Sequence, residues 1–191
     1  MIDRRVQKTL QALHQALISL ILEKGYDAIT VQDIIDRANV GRSTFYSHYL
    51  GKEQLLQSGL DDLRKLLVTD QKDRRFDRAD RHVHFGFTLA LFEHAHGYRE
   101  VYRAMVGKHA GAVVINRMKA LLTELVKADL ATTKLDDQLK DVPRSALIQF
   151  VVGAIMSMLI WWVDEKTKVS PAEIDAIFRR LTLPALGKMA G

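Results

Sequence analysis

Cysteine is absent from the sequence, which excludes disulfide bonds and thiolate metal ligands. The N-terminus carries charged residues before its apolar residues begin, and no small-residue cleavage site ends the first apolar run. We therefore expect no signal peptide. Because neither feature requires secretion or an oxidising compartment, the sequence predicts a cytoplasmic protein.

Recognisable catalytic motifs are also absent. The sequence has no glycine-rich phosphate loop, no nucleophile elbow and no obvious pair of carboxylates in an apolar setting. Seven histidines are present, but within the pairs His82 with His84 and His94 with His96 the two side chains point to nearly opposite sides of a helix. We expect no enzyme and no metal or other cofactor. An enzyme with a metal held by histidines of different helices is the least favoured alternative.

No stretch alternates apolar and polar residues convincingly enough for a β-strand. Apolar residues recur instead at intervals of three and four, which indicates an all-α fold. The predicted helices cover residues 4–24, 30–38, a short helix from 42, a helix from 52 to about 72, and residues 83–96, 98–106, 113–130, 143–163 and 170–186.

Charge gives only weak information about the partner. The formal net charge is +5, which favours a polyanionic partner. Over residues 1–52, however, Lys and Arg outnumber Asp and Glu by only seven to five. With 48% hydrophobic and 27% charged residues, the composition is that of an ordinary globular protein of one or two domains. Any argument for nucleic-acid binding must therefore come from the positions of particular residues.

The stretch that organises the chain is 30–52, TVQDIIDRANVGRSTFYSHYLGK. Thr30 followed by Asp33 has the form of a capping box, which predicts a helix start at Thr30. Asn39 tolerates a left-handed backbone and Gly41 can cap a second helix, so the stretch indicates two short helices joined by a tight turn. This is the pattern of a helix-turn-helix motif. A helical corner in a bundle is the structural alternative.

On the second helix, Phe45 and Tyr49 are four residues apart and can pack inward. The other side chains are then available near the start of that helix, where polar tips can reach the major groove of DNA. These available residues are Arg42, Ser43, Thr44, Tyr46, Ser47 and His48. The alternative function is a helical adaptor whose motif contacts a protein partner.

At these positions the sequence closely resembles the TetR family of transcriptional regulators. The family pattern is threonine, aromatic, tyrosine, any residue, histidine and aromatic, with a lysine soon after. The chain departs from the family at Ile35, Asn39 and Gly41, where alanine, glycine and serine are more frequent. The resemblance covers about residues 4–67 and implies a DNA-binding regulator. The pattern is carried here by Thr44, Phe45, Tyr46, Ser47, His48, Tyr49 and Lys52, and the expected DNA-binding residues are Thr30, Arg42, Ser43, Thr44, Tyr46, Ser47, His48 and Lys52.

The charged run 70–81, DQKDRRFDRADR, contains the expected domain boundary. We expect a DNA-binding domain over 1–52, a connecting helix over about 52 to 72, and a second domain over 73–191. Helix order and aromatic content of this half resemble the family's effector domains, which implies small-molecule binding and dimer formation there. The candidate ligand-binding residues are Phe85, Phe92, Tyr102, Met105, Phe150, Met156 and Trp161, although such residues at helical spacing more often belong to an ordinary core.

The sequence therefore predicts a homodimer that binds double-stranded operator DNA, and we expect a repressor released from a palindromic operator by a small molecule. The dimer interface is expected at 143–163 and 170–186, where Gly153 permits close approach of two helices. The apolar run 146–163 approaches the length of a membrane span, but Gln149, Gly153 and Ser157 interrupt it. We expect a buried helix and no membrane partner, and a span is the minor alternative.

Overall fold

The computed structural model of the chain describes residues 4–76, 85–107, 111–131, 139–164 and 167–186. The described ranges contain helices and no strand, which confirms the predicted all-α fold. Their bounds are α1 Arg4–Lys24, α2 Val31–Ala38, α3 Arg42–His48, α4 Lys52–Phe76, α5 Phe87–Gly97, α6 Arg99–Val106, α7 Ala112–Ala131, α8 Arg144–Asp164 and α9 Pro171–Thr182, followed by a 3-10 turn over Leu183–Leu186.

Two capping boxes fix the starts of α2 and α9, as the sequence predicts. Thr30 Oγ1 accepts the Asp33 N–H at 3.2 Å, and the Asp33 carboxylate accepts the Thr30 N–H at 2.7 Å. Ser170 and Glu173 repeat this exchange at 3.3 and 2.7 Å, and Pro171 occupies the first helical position. Each box satisfies backbone N–H groups that a helix start otherwise leaves without partners.

The end of α4 differs from the prediction. The helix continues to Phe76, about four residues beyond the predicted end, and so includes the first part of the charged run. That part contains no glycine or proline, and the glutamine, lysine and arginine in it are good helix formers. The charged composition that suggested a link is therefore equally compatible with a solvated helix. The rest of the predicted link, residues 77–81, lies outside the described residues.

The start of α5 and the end of α9 also differ. The predicted start of α5 at residue 83 lies outside the described residues, and the observed helix begins at Phe87. Phe85 has a φ of 37°, so its left-handed backbone cannot belong to the helix. At the other end of the chain, α9 stops at Thr182 and residues 183–186 form the 3-10 turn. Pro184 lacks the N–H that a further α-helical hydrogen bond requires.

The chain divides into two compact units. The first comprises Met1–Leu63 and Glu100–Met118, and the second comprises Arg64–Arg99 and Lys119–Gly191. In the first unit, α1 packs against α2, and α2 against α3. In the second unit, α5, α8 and α9 pack against one another. The predicted functional division into 1–52 and 73–191 stays a proposal.

The unusual backbone of Phe85 is held by polar groups inside the second unit. The Asp129 carboxylate accepts the Phe85 N–H at 2.9 Å. The Phe85 carbonyl accepts hydrogen bonds from the Thr88 hydroxyl at 2.8 Å and the Arg179 guanidinium at 3.2 Å. Arg179 also pairs with the buried Asp175 at 2.6 Å. These bonds fix the approach to α5 and offset the strain of a left-handed phenylalanine.

α8 is strongly apolar and packs into the core of the second unit. Among the described residues it is the one helix long and apolar enough to cross a membrane by length and composition, with a mean hydropathy of 2.1. It packs against both α5 and α9, and its buried residues belong to the core of the second unit, which is the arrangement expected of a core helix. These buried residues are Leu147, Val151, Val152, Ile155, Met156, Leu159, Trp162 and Val163.

Candidate nucleic-acid interface

The turn between α2 and α3 has the predicted geometry. Asn39 adopts a left-handed backbone with a φ of 52°, and its N–H donates to the Asp36 carbonyl at 3.2 Å. The Val40 N–H donates to the Ile35 carbonyl at 3.1 Å, which closes the end of α2. Gly41 then caps α3 without a side-chain hydrogen bond. α2, this turn and α3 form a helix-turn-helix.

α3 turns one aromatic side chain inward and most of its polar side chains outward. Phe45 is fully buried, and Tyr49 at the C-cap is buried with its ring centroid 5.9 Å from that of Phe45. The predicted inward pair is therefore present. Among the predicted DNA-binding residues of α3, His48 alone is half-buried. The exposed ones on this helix are Arg42, Ser43, Thr44, Tyr46 and Ser47.

Arg42 is oriented by two neighbours. Its guanidinium carbon lies 5.5 Å from the centroid of the Tyr46 ring, within the range of a cation–π interaction. Its Nη1 donates to Gln32 Oε1 on α2 at 3.4 Å, and Gln32 in turn donates to Asp36 at 2.8 Å. Gln32 was not among the predicted site residues, because its partner Arg42 lies ten residues away on another helix. These contacts hold Arg42 at the start of α3.

Two predicted DNA-contacting hydroxyls already donate within the protein. The Ser47 hydroxyl donates to the Thr44 carbonyl at 2.7 Å, and the Thr30 hydroxyl donates to Asp33 at 2.6 Å. A hydroxyl has a single O–H to donate, and phosphate oxygens accept only. Either residue must exchange its present bond before its hydroxyl can donate to DNA.

Lys52 is tied to the loop between α1 and α2. Its ammonium donates to the carbonyls of Tyr26 at 3.1 Å, Asp27 at 3.4 Å and Ile29 at 2.8 Å, and lies 4.6 Å from the Tyr26 ring centroid. A lysine has three N–H donors, and all three have acceptors here. The predicted phosphate contact of Lys52 stays a prediction, and it requires exchange of one carbonyl. No local sequence pattern indicated that Lys52 binds these carbonyls, because the acceptors lie 23 to 26 residues earlier.

A second set of contacts joins the end of α3 to α1 and α4. The Ser58 hydroxyl lies 3.2 Å from the Tyr49 hydroxyl and 2.8 Å from His14 Nε2. Burial lowers the pKa of His14, although its contact with the Leu55 carbonyl opposes that shift. This polar chain fixes the position of α3 against the two helices that support it.

Ion pairs add to the contact between α1 and α2. Lys24 pairs with Asp33 at 2.9 Å, and Arg37 pairs with Glu23 at 2.5 Å. Hydrogen bonds from the Thr30 side chain, then from Lys24, hold the pKa of the Asp33 carboxyl well below its usual range. Asp33 therefore remains ionised at neutral pH and keeps the capping box of α2 intact.

The seven predicted ligand-binding residues are divided between the two units. Tyr102 and Met105 belong to the first unit, and the other five belong to the second. Phe150 and Trp161 are 49% and 46% exposed on the surface of α8, whereas the remaining five are buried. The structure therefore does not group all seven in one buried set, and ligand binding stays a prediction. Among the described residues, no three His, Asp or Glu side chains are placed to hold a metal ion, and His82 and His84 lie outside those residues.

Comparisons with known proteins agree with this geometry. The family described as "Bacterial regulatory proteins, tetR family" matches residues 13–58, and the description "Transcriptional regulator C-terminal region" matches residues 85–183. The uncharacterized HTH-type transcriptional regulator YxbF of Bacillus subtilis (strain 168) is 48% identical over 58 residues. That match covers 30% of this chain but only 15% of the Bacillus protein.

Solved structures extend the likeness to nearly the whole chain. A TetR transcriptional regulator from Streptococcus agalactiae 2603V is 30% identical with a TM-score of 0.70, over 95% of this chain and 97% of that one. NalD of Pseudomonas aeruginosa, the secondary repressor of the MexAB-OprM multidrug efflux pump, has the same fold at 15% identity and a TM-score of 0.70, over 98% of this chain and 100% of that one. With its helix-turn-helix and matching C-terminal region, the chain belongs to the TetR family of DNA-binding transcriptional regulators.

Proposed function

We propose that the protein is a cytoplasmic, homodimeric repressor that binds a palindromic operator through α3 and leaves it when a small molecule binds. The observation that supports DNA recognition is the arrangement of α3, which exposes five side chains and buries one phenylalanine, Phe45, completely. A helix whose exposed residues offer hydrogen-bond donors and acceptors suits base edges and phosphates. Nothing about this arrangement suggests catalysis, and the family is one of transcription factors.

The proposed contacts follow from position along α3. We assign base-edge contacts to Arg42, Ser43 and Thr44, which occupy the first turn of the helix. We assign phosphate contacts to Tyr46 and His48, which lie further along it. Arginine is suited to guanine because its guanidinium can bind O6 and N7 together. The remaining predicted contacts, from Thr30, Ser47 and Lys52, each require exchange of a hydrogen bond within the protein.

Salt-dependent binding to a palindromic DNA tests this function. The operator is first selected from a randomised library, and its affinity is then measured at several salt concentrations. A DNA-binding regulator releases counterions, so its affinity falls steeply with salt. Arg42→Ala should cost about 1–3 kcal/mol and relax the preference at one base position. A protein that selects no sequence and shows no salt dependence is instead the helical adaptor.

Exposed apolar residues on α8 and α9 support the homodimer. Phe150 and Trp161 are about half exposed on α8, and Leu181 on α9 is 66% exposed. Gly153 lies between the two α8 residues on the same exposed face, and a Cβ built at this glycine meets no atom within 4 Å. A second copy that packs α8 and α9 against this face would cover the apolar surface. Two α3 helices then require half-sites about 34 Å apart or a multiple of that distance.

Two substitutions at Gly153 separate folding from dimer formation. Gly153→Leu should reduce both self-association and operator affinity, because its side chain begins in space that only a partner fills. Gly153→Ala is the control, since it adds one methyl group and replaces glycine by a better helix former. Sedimentation and urea unfolding measure the two properties separately. A wild-type protein that sediments as a monomer at micromolar concentration contradicts the dimer.

For effector control we propose a pocket that includes Phe85, Phe92 and Met156, the predicted ligand-binding residues buried in the second unit. A ligand releases DNA only if it binds the DNA-free conformation more tightly. Coupling of about 1–3 kcal/mol is typical and lowers operator affinity about 5- to 150-fold. Operator DNA must then weaken ligand binding by the same factor. Equal ligand affinity with and without operator contradicts this form of control.

A further inference from the structure

A segment from the second half of the sequence belongs to the unit that contains the helix-turn-helix. The first compact unit joins Met1–Leu63 with Glu100–Met118, although the whole of Arg64–Arg99 separates them in the chain. The segment Gly111–Met118, called here the α7 segment, includes the first two turns of α7. Val114 and Met118 in it are fully buried. The DNA-reading unit therefore includes residues far from the motif in sequence.

Gly111 packs closely against the loop between α1 and α2. A Cβ at this position would lie 3.3 Å from Asp27 Oδ1 and 3.4 Å from the Cβ of Tyr26. A larger side chain would thus displace the Asp27 carboxylate and press on Tyr26, so the loop or the α7 segment must shift to make room for a leucine. Arg117 provides a second attachment, because its guanidinium donates a hydrogen bond to Gln57 Oε1 on α4.

The same loop is held by the start of α4. Lys52 donates to carbonyls of Tyr26 and Ile29, so the loop lies between attachments to α4 and to the α7 segment. The Tyr26 hydroxyl is buried without a hydrogen-bond partner among the described residues. The loop leads directly into Thr30, the N-cap of α2. Movement of the loop therefore moves the start of the helix-turn-helix.

We propose that Gly111 and Arg117 are positioning residues for operator recognition. They hold the loop and the start of α4 so that α2 and α3 meet DNA already oriented, without touching DNA themselves. A helix-turn-helix that must be ordered during binding has a lower affinity for DNA than one that is ordered beforehand. The inference rests on the proposed operator binding and deepens it, because it makes the position of the α7 segment a determinant of affinity.

Gly111→Leu is the main test, and Gly97→Leu is its matched control because a Cβ at Gly97 meets no atom within 4 Å. Neither glycine has a positive φ, so a leucine is not strained by the backbone at either position. We expect Gly111→Leu to weaken operator binding about 2- to 30-fold with an unchanged base preference, and Gly97→Leu to bind like the wild type. Equal affinity of the folded Gly111→Leu variant and the wild type overturns the proposal.

Exchange of the hydrogen-bond partners tests Arg117. Arg117→Gln should weaken binding, and the double variant Arg117→Gln with Gln57→Arg should restore it, because the donor and acceptor change places at constant net charge. A merely structural effect would change the urea midpoint of the variants and leave the operator affinity of their folded forms unaltered. Restored stability without restored affinity therefore also contradicts the positioning role.

Hydrogen exchange separates this proposal from operator binding itself. The Ile29 N–H donates to the Tyr26 carbonyl at 3.2 Å within the loop. Its exchange should accelerate in Gly111→Leu and stay unchanged in Gly97→Leu, whether or not DNA is present. If the wild type binds no operator but this difference appears, the proposed function fails and the attachment of the loop stands. Unchanged exchange in Gly111→Leu contradicts the attachment directly.

Discussion

α3 and α8 expose opposite kinds of side chain. α3 has seven residues, of which only Phe45 is buried, and the rest of its surface is polar or carries a hydroxyl. α8 has 21 residues with an extensive buried face, yet Phe150 and Trp161 on its other face remain about half exposed. Exposed polar groups suit a hydrated, charged partner such as DNA, whereas exposed aromatic groups suit another protein surface. The two helices thus indicate two different partners.

Buried area also differs between them. α3 has a single buried anchor, so its position depends on groups outside the helix: the α2 turn, Ser58 with His14, and Lys52 with the α1–α2 loop. α8 contributes its own large buried face to the second unit. A short helix with one anchor is sensitive to changes at a distance, which a regulated DNA reader requires. The following predictions test this difference.

The largest expected effect comes from the anchor of α3. Phe45→Ala removes a fully buried ring, and such truncations cost about 3–5 kcal/mol of unfolding free energy. Phe150→Ala removes an equal volume from a half-exposed site and should cost about 0.5 kcal/mol or less in the monomer. Urea unfolding at low protein concentration measures both. Equal costs would mean that the exposed face of α8 is part of the folding core, and the comparison would fail.

Substitution of Lys52 measures its structural role separately from any contact with DNA. Lys52→Met keeps most of the side chain and removes the ammonium, leaving the carbonyls of Tyr26 and Ile29 without this donor. We expect a loss of about 1–3 kcal/mol in unfolding free energy. Lys119→Met, at an exposed lysine of the second unit, is the control and should change stability by about 0.5 kcal/mol or less.

Salt dependence then decides whether Lys52 also touches phosphate. If the ammonium keeps all three carbonyls when DNA binds, the slope of log affinity against log salt is the same for Lys52→Met and the wild type, and that outcome would contradict the predicted phosphate contact. A phosphate contact predicts a slope smaller by about 0.9. That result would show that Lys52 exchanges a carbonyl for DNA on binding.

The sequence predicted best what depends on neighbouring residues. The capping box at Thr30, the left-handed Asn39 and the inward Phe45 each involve residues within four positions of one another, and all three are present. The Lys52 contacts and the attachment of Arg117 to Gln57 were not predicted, because their partners lie 23 to 60 residues away. Sequence spacing shows which residues share a helix face but not which distant loop meets that face.

The start of α5 shows the same limit. Aromatic spacing predicted a helix from residue 83, yet Phe85 has a left-handed backbone fixed by Asp129, 44 residues later, and by Arg179, 94 residues later. Helical periodicity alone gives no indication of such a break. The domain boundary was likewise predicted from a charged run, whereas the first compact unit contains the distant segment Glu100–Met118 together with the N-terminal residues.

The two capping boxes allow a comparison between units with matched chemistry. Thr30→Ala and Ser170→Ala each remove the hydroxyl of an N-cap and should each cost about 1 kcal/mol of stability. Only Thr30→Ala should also lower operator affinity, because Thr30 begins the helix-turn-helix. Equal losses of operator affinity in the two variants would contradict the assignment of DNA recognition to the first unit.

Acid pH should weaken both boxes, which is the smallest effect expected. Hydrogen bonds from Thr30 lower the pKa of Asp33, and hydrogen bonds from Ser170 lower the pKa of Glu173. A carboxyl whose pKa is lower in the folded state stabilises the fold above its unfolded pKa, near 4, and loses that contribution as the pH falls toward the folded value. The stability difference between the wild type and Asp33→Asn should therefore be full at neutral pH and shrink below about pH 4. Glu173→Gln should behave in the same way, while operator affinity measured near neutral pH should respond to Asp33→Asn alone. A stability difference that stays constant from neutral to acid pH would show that the ionised carboxylates do not stabilise these helix starts.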